Sequence, residues 1–401
     1  MQSIIVFSHV RWNFIRQRPH HLFTRLAKRW RIVFVEEALP NAERCELETF
    51  DVAPNVQVWR PHVTGNMADN ESAVQELLAG GVREHRVTHY WLWFYTPMSL
   101  PHTSRLKPRG IVYDCMDELS HLPGAPRELL QRENQLFKRA DLVFAAGRSL
   151  YNTKRHRHPD VHLFPGSVDA RHFAQASGEH PLHADIPRPR LGYCGVIDER
   201  INLQLLDAIA VQRPEWNIVM VGPVVGIDNA RLPRRDNVHW LGLQNYADLP
   251  RIISGWDVCL LPYMLGEPTK SISPAKTLEY MACARPSVST SIRDIVEPYG
   301  HLVRIADTPE GFIADIEMIM ARTPAEQEAH AKQLAAIVAR TSWDRTADDM
   351  AELISQADDL ADSARVFARP KASSQDEHAV PPYIAHAVTG LTASQTAEHG
   401  L

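Results

Sequence analysis

Serine, lysine and glutamate side chains are grouped in one short stretch of the second half of the chain, in a pattern suited to binding a phosphorylated ligand. Ser273 followed by Pro274 is typical of a helix start, because the serine hydroxyl can accept from a free amide and proline has no N–H to leave unpaired. A helix N-terminus carries partial positive charge, to which Lys270 and Lys276 would add. Glu279 lies in an otherwise largely apolar helix and is expected to face a ligand. The stretch therefore predicts a site for a phosphate or a sugar hydroxyl.

The same stretch resembles the donor-site helix of the glycosyl transferases group 1 family, whose members are retaining, use nucleotide sugars and have the GT-B fold. The resemblance rests on S-P-x-K-x-x-E-Y-M-A, from Ser273, and on the P-x-V-x-T that follows. In this family, two glutamates separated by seven residues contact the donor sugar and the nucleotide ribose. The resemblance implies that Glu279 binds the ribose, whereas Ser271 stands in place of the first glutamate. An ordinary amphipathic helix with one acidic residue is the alternative.

Length and composition predict a soluble protein of two domains. The chain has 401 residues, of which 44% are hydrophobic and 23% charged, and its net charge is −5. This length suggests two domains of about 150–200 residues each. The negative net charge argues against nucleic-acid binding. Because the five cysteines lack C-x-x-C or metal-ligand spacing, and no signal peptide or long apolar run is visible, we expect a cytoplasmic protein.

The first 35 residues are strongly basic, with seven Arg or Lys and no Asp or Glu. A patch of this kind could face an anionic membrane surface or an anionic substrate. We therefore expect this region to be capable of peripheral contact with the inner face of a membrane. A solvated helix face explains the same charges at least as well.

Strand and helix patterns alternate along the first half of the chain, which predicts parallel strands joined by crossover helices. In such sheets ligands bind at the carboxyl ends of the strands, which places the loop 9–18, with Arg11, beside a site. The R-W-x-F-x-x-Q-R-P pattern of this loop is similar to that of some bacterial members of the family from cell-surface polysaccharide pathways. The alternative is that the arginines stabilise the conformation of the loop and do not bind a ligand.

A second strand end, at residues 110–118, carries three acidic residues. Carboxylates in so short a stretch are costly to bury without partners. We expect Asp117 to face the cleft, and Asp114 to be structural and bonded to a neighbouring loop. Asp117, Arg11 and Lys276 are therefore the candidate catalytic residues.

The second half of the chain opens with a strand and a glycine loop, L-G-Y-C-G-V-I-D-E-R. Gly195 would let the backbone approach a diphosphate, and Arg200 is the nearest cation. In the family an arginine follows the glycine, and here that residue is Val196. A surface pair of Arg200 with a neighbouring acid is the alternative. The candidate donor-binding residues are Glu279, Ser271, Ser273, Lys270, Arg200 and Gly195.

The resemblance implies an α/β protein with two Rossmann-like domains that face each other across a cleft. The predicted divisions are an acceptor-side domain at 1–170, a linker at 171–190 and a donor domain at 191–341. A helix at 342–362 would cross back to the first domain, and a disordered tail would follow at 363–401.

The predicted activity is transfer of a sugar from a UDP- or GDP-sugar to a glycan or lipid-linked acceptor in cell-surface or exopolysaccharide synthesis. A helix dipole and cations can stabilise a departing diphosphate, and no convincing Asp-x-Asp metal pair is present, so we expect a metal-independent enzyme without a cofactor. Retention is implied by the resemblance alone. A scaffold subunit that has lost catalysis, and a nucleotide-sugar epimerase of the same architecture, are the alternatives.

Overall fold

The computed structural model describes residues 1–66, 70–122, 124–175 and 178–367. Residues 3–163 contain the strands of one sheet and residues 190–305 those of a second, and we call these two parts the first and second lobes.

The first lobe is built on an eight-stranded sheet. Its strands are β1 (Ser3–Ser8), β2 (Arg31–Glu36), β3 (Glu46–Ala53), β4 (Val56–His62), β5 (Tyr90–Phe94), β6 (Ile111–Cys115), β7 (Leu142–Ala145) and β8 (Val161–Leu163). Its helices are α1 (Arg18–Leu26), α2 (Glu71–Glu84), α3 (Leu129–Arg139) and α4 (Arg148–Lys154). The strand order is β3-β4-β2-β1-β5-β6-β7-β8, and the pairs are parallel except for the edge pair β3–β4.

The second lobe is built on a six-stranded parallel sheet, reached through the short helix α5 (Ala170–Phe173). Its strands are β9 (Arg190–Cys194), β10 (Asn217–Val221), β11 (Val238–Gly242), β12 (Val258–Leu261), β13 (Ser287–Ser289) and β14 (Arg304–Ile305). The helices after α5 in the chain are α6 (Leu203–Gln212), α7 (Leu249–Ser254), α8 (Lys276–Ala282), α9 (Arg293–Tyr299), α10 (Pro309–Met320), α11 (Pro324–Val338) and α12 (Trp343–Phe367). The strand order is β11-β10-β9-β12-β13-β14.

Strand β1 shows why the first sheet is buried on both faces. Ile5 and Phe7 pack into the core on one side of the sheet, and Ile4 and Val6 into the core on the other. Because successive side chains of a strand point to opposite faces, a strand covered on both sides needs an unbroken apolar run. The parallel α/β architecture predicted from the alternating pattern is confirmed.

The long helix α12 packs on the first lobe, although it follows the second lobe in sequence. Trp343, Met350 and Ile354 lie in the same core cluster as Ile4 and Val6. The helix continues to Phe367, five residues beyond its predicted end at 362, and the rest of the predicted tail lies outside the described residues. The predicted domain boundaries stay predictions. None of the described helices has the length and apolarity needed to cross a bilayer.

Candidate functional site

A pocket of about 250 Å³ lies where the carboxyl ends of the two sheets meet. The first lobe contributes the loops after β1, β6, β7 and β8, and the second lobe contributes the loops after β9 and β12 and the start of α8. The lining residues with polar side chains are Arg16, Gln17, Arg18, His21, Asp117, Ser167, Tyr193, Asp198, Arg200, Tyr263, Ser273, Lys276, Glu279 and Trp343. Parallel sheets bind ligands at this edge, so the pocket is where the topology predicts a site.

Helix α8 places Lys276 and Glu279 side by side in this pocket. The Lys276 ammonium lies 2.8 Å from a Glu279 carboxylate oxygen, and their side chains are 19% and 11% exposed. Although burial disfavours the charged form, the pair with Glu279 raises the pKa of Lys276 above its ordinary value. Lys276 therefore stays cationic at neutral pH.

The start of α8 differs from the prediction. The helix begins at Lys276 rather than at Pro274, and Ser273 makes no capping hydrogen bond. Instead the carbonyl of Pro274 accepts from the amide of Thr277 at 3.2 Å, which closes a tight turn before the helix. Ser273 still lines the pocket.

Arg200 and Asp117 face each other across the pocket from different lobes. Nε of Arg200 donates to both oxygens of Asp198 at 3.0 Å, so the predicted alternative of a local pair is also present. Asp117 is half-buried, and burial, helped by the charge of Asp198 and opposed by Arg200, raises its pKa above the ordinary value. Against its burial, the contacts with Asp198 raise the pKa of Arg200.

Gly195 belongs to the pocket wall for a steric reason. A Cβ at this position would lie 2.6 Å from the hydroxyl oxygen of Tyr193, which is too close for any side chain unless the tyrosine moved. Because glycine has no side chain, only backbone faces the pocket at Gly195.

Three candidate residues lie outside the pocket lining. Arg11 forms an ion pair of 3.1 Å with Glu36, and the exposed Lys270 forms one of 3.2 Å with Glu267. Ser271 is 7% exposed and does not reach the pocket surface. Of the nine candidates, the structure brings together Asp117, Gly195, Arg200, Ser273, Lys276 and Glu279.

Arg16, His21 and Trp343 line the pocket but were not singled out in the sequence. The Arg16 guanidinium lies 5.2 Å from the ring centre of Tyr246, which belongs to the second lobe. His21 stacks on Trp343 with ring centres 5.1 Å apart, and burial, together with neighbouring arginines, lowers its pKa to about 2. The positive charge of the loop 9–18 could have pointed to Arg16. The contact of His21 with Trp343 could not be found in the same way, because it depends on α12 packing back on the first lobe.

Most of the basic residues near the N-terminus are neutralised by acidic partners. The pairs are Arg11–Glu36, Arg18–Asp114, Arg25–Asp344, Lys28–Asp344 and Arg29–Asp348. Because the partners include residues of α12, this charge balance was not visible in the first 35 residues alone. Arg16 is exposed and has no ion pair among the described residues.

The two lobes are also joined beside the pocket by Asp294. One oxygen of this buried carboxylate, on α9, accepts from the backbone amide of Ser149 at 3.0 Å and from its hydroxyl at 2.5 Å. A Cβ on Gly147 would overlap the other oxygen, so glycine is required at the start of α4 for this approach. The described residues contain no group of three or more His, Cys, Asp or Glu arranged to hold a metal ion.

Comparisons with known proteins agree with this geometry. Residues 188–322 match the family model described as Glycosyl transferases group 1. The glycosyltransferase TuaH of Bacillus subtilis, which is assigned to teichuronic acid biosynthesis, is 23% identical over 272 residues, covering 62% of this chain and 68% of TuaH.

Solved structures share the fold at low sequence identity. Sucrose-phosphate synthase of Thermosynechococcus elongatus superposes with a TM-score of 0.70 at 15% identity, covering 89% of this chain and 99% of its own. HepE of Anabaena, solved with UDP and glucose, gives 0.65 at 15% identity over 88% of this chain and all of its own (100%). Residues 188–322 thus match the group 1 glycosyl transferases, and the protein is a glycosyltransferase with the GT-B fold.

Proposed function

We propose that this enzyme transfers a sugar from a UDP- or GDP-sugar to a glycan or lipid-linked acceptor in cell-surface or exopolysaccharide synthesis. The observation that carries the proposal is the convergence of Lys276 and Glu279, from helix α8, and of Arg200, from the loop after β9, on one pocket at the carboxyl edge of the second sheet. The relative TuaH is assigned to teichuronic acid biosynthesis, and HepE was solved with UDP and glucose, which supports this class of donor and product.

In the proposed site, Lys276 and Arg200 hold the diphosphate and Glu279 accepts hydrogen bonds from the ribose. Both cations are paired in the free protein, so the diphosphate takes the place of a carboxylate partner. As the sugar–phosphate bond breaks, negative charge grows on the departing diphosphate, and the two cations stabilise it there without a metal ion. Arg11, Lys270 and Ser271 are not part of the proposed site, because they lie outside the pocket lining.

On the acceptor side, Asp117 is the carboxylate that faces these cations from the first lobe. Its position suits a group that orients an acceptor hydroxyl by a hydrogen bond. Retention of configuration is proposed from the resemblance of α8 to the family's donor helix, with the donor phosphate itself accepting the acceptor's proton. Peripheral contact with a membrane is a further proposal, now limited to cations such as Arg16 that have no acidic partner in the described part of the chain.

Calorimetric titration with UDP, GDP, ADP and inorganic diphosphate tests the site. We expect one nucleotide to bind selectively, and Glu279→Ala to weaken its binding by about tenfold or more, because a charge-assisted hydrogen bond worth about 1.5–3 kcal/mol is lost. Because the same substitution frees Lys276, the affinity for inorganic diphosphate should hold or rise.

Glu297→Ala is the matched control, since Glu297 also pairs with a basic residue within one helix, α9, and lies outside the pocket lining. It should change neither affinity. A folded protein that binds none of the nucleotides would contradict the proposal and favour the scaffold alternative. Isomerisation of a bound nucleotide sugar without any acceptor would favour the epimerase alternative.

A further inference from the structure

A second cavity, of about 500 Å³, lies at the edge of the second sheet opposite to the donor pocket. Its lining includes residues that lie one or two positions before three parallel strands: Arg188 before β9, Asp257 before β12, and Arg285 before β13. Arg322, after α10, and His330, on α11, complete the wall. Since these strands run in parallel, their first residues gather at the amino edge, and we call this space the amino-edge cavity.

The amino-edge cavity carries more positive than negative charge. Of its three arginines, Arg188 is neutralised by an ion pair with Asp257. Arg322 forms no ion pair and no side-chain hydrogen bond within the described part of the chain. Arg285 donates from Nη1 to the carbonyl of Trp256 at 3.2 Å, but its buried Nε has no partner there.

The environment of Arg322 disfavours its own charge. Burial and the neighbouring Arg304, only partly offset by Glu326, lower the pKa of Arg322 from its ordinary value. His330 is held near Leu302 by a contact of 3.0 Å to the carbonyl oxygen, and burial lowers its pKa as well, so it adds no positive charge at neutral pH. Two guanidinium groups thus remain without an acidic partner in one cavity.

We propose that the amino-edge cavity binds a phosphate-bearing anion between Arg285 and Arg322. Guanidinium groups match phosphate oxygens with paired, charge-assisted hydrogen bonds, and an anion beside Arg322 would offset the repulsion that this residue experiences from Arg304. The volume is large enough for a phosphate monoester rather than a bare ion alone. The phosphate could belong to a free phosphorylated solute or to a lipid headgroup.

Titration of the full chain with inorganic phosphate, followed by calorimetry, tests this site. We expect saturable binding that Arg322→Gln weakens about tenfold, as does Arg285→Gln. Arg322→Gln is the more informative variant, because its side chain makes no hydrogen bond whose loss would affect folding. Arg231→Gln is the control, since Arg231 is exposed and is not among the residues that line this cavity.

Lys276→Gln separates the two sites, because phosphate bound in the amino-edge cavity should survive that substitution. The proposal is overturned if the folded protein binds no phosphate, if Arg231→Gln has the same effect as Arg322→Gln, or if only Lys276→Gln removes binding. Sedimentation with phosphatidylcholine vesicles, with and without phosphatidic acid, distinguishes the sources. Binding to phosphatidic acid that Arg322→Gln abolishes indicates a headgroup, whereas phosphate binding without vesicle binding indicates a free solute.

Discussion

The ionised carboxylate of Asp117 destabilises the folded state, because it is partly buried and lies near another acidic residue. It is half-buried at the edge of the pocket, and burial together with Asp198 raises its pKa above the ordinary value of 3.8, against the attraction of Arg200. A raised pKa means that folding disfavours the ionised form, so this carboxylate destabilises the folded state at neutral pH. A group kept under such conditions is expected to serve function rather than stability.

Asp117→Asn should therefore unfold at a higher temperature than the wild type at pH 7. The native pKa lies above the unfolded one, so the destabilisation grows as the pH rises between the two values and is absent below both. The gain of the variant should disappear below about pH 4, near the ordinary pKa of aspartate. Thermal unfolding across this pH range measures the effect. Asp236→Asn, at an exposed position, is the control, and a variant less stable than the wild type at pH 7 would contradict the assignment.

The sequence could predict which residues of the site follow the carboxyl ends of strands. Asp117 and Gly195 line the pocket because each follows a strand at the carboxyl edge. Arg11 also follows a strand, but its guanidinium turns to Glu36 at the end of the neighbouring strand β2. Which acidic residue neutralises a given arginine depends on the order of the strands in the sheet, and a local sequence pattern does not predict that order.

At the scale of elements, the ion pair between Arg18 and Asp114 fixes the start of α1. Arg18 donates from Nε and Nη2 to the two oxygens of Asp114 at 3.1 and 3.0 Å, and both residues are buried. Nη1 donates to the carbonyl of Phe164 at 2.9 Å. Asp114 was predicted to be structural and bonded to a neighbouring loop, and its observed partner is the first residue of α1. These bonds hold Gln17 and Arg18 at the pocket wall.

Arg18→Met should lower the free energy of unfolding by about 3–5 kcal/mol, because it leaves a buried carboxylate without a partner. Replacing both partners, as Arg18→Met with Asp114→Leu, should cost less than the single change, since no charge then remains buried. Urea denaturation of the three proteins measures both values. Arg44→Met, which breaks the exposed pair with Glu46, should cost at most about 1 kcal/mol. A single variant no less stable than the double one would contradict this role.

Two elements show where local sequence patterns were insufficient. The Ser273-Pro274 pair predicted the start of α8, but a tight turn at Pro274 delays the helix to Lys276. Strand β3 was not predicted, because this edge strand is exposed or half-buried throughout and lacks a clear apolar face. The central strands, by contrast, are short, largely apolar and buried throughout, which makes their pattern easy to recognise in the sequence.

Contacts between the two lobes hold the walls of the pocket together. Asp294 accepts two hydrogen bonds from Ser149 across the cleft, and Arg16 lies over the ring of Tyr246. Neither contact could be predicted from sequence, because each joins residues far apart in the chain whose meeting depends on how the two lobes face each other.

Asp294→Ala should shift the nucleotide-free protein toward a more open form. Losing these hydrogen bonds costs about 1–3 kcal/mol, which changes an open–closed equilibrium by about 5- to 150-fold. A larger radius of gyration in small-angle X-ray scattering is the expected result. Asp307→Ala is the matched control, since Asp307 accepts from the amide and hydroxyl of Ser291 in the same way but within the second lobe. Equal scattering from the wild type and Asp294→Ala would contradict a closing role.

Stabilisation of the departing diphosphate by Lys276 is tested most directly by the rate of nucleoside diphosphate release. The substrate is the sugar of whichever nucleotide the protein binds, with and without glycan acceptors. We expect release by the wild type, unchanged by EDTA, and a loss of about 100-fold or more in Lys276→Gln. Lys332→Gln, which removes an exposed lysine also paired within its helix, should retain the wild-type rate. Release by Lys276→Gln at the wild-type rate would contradict the proposed mechanism.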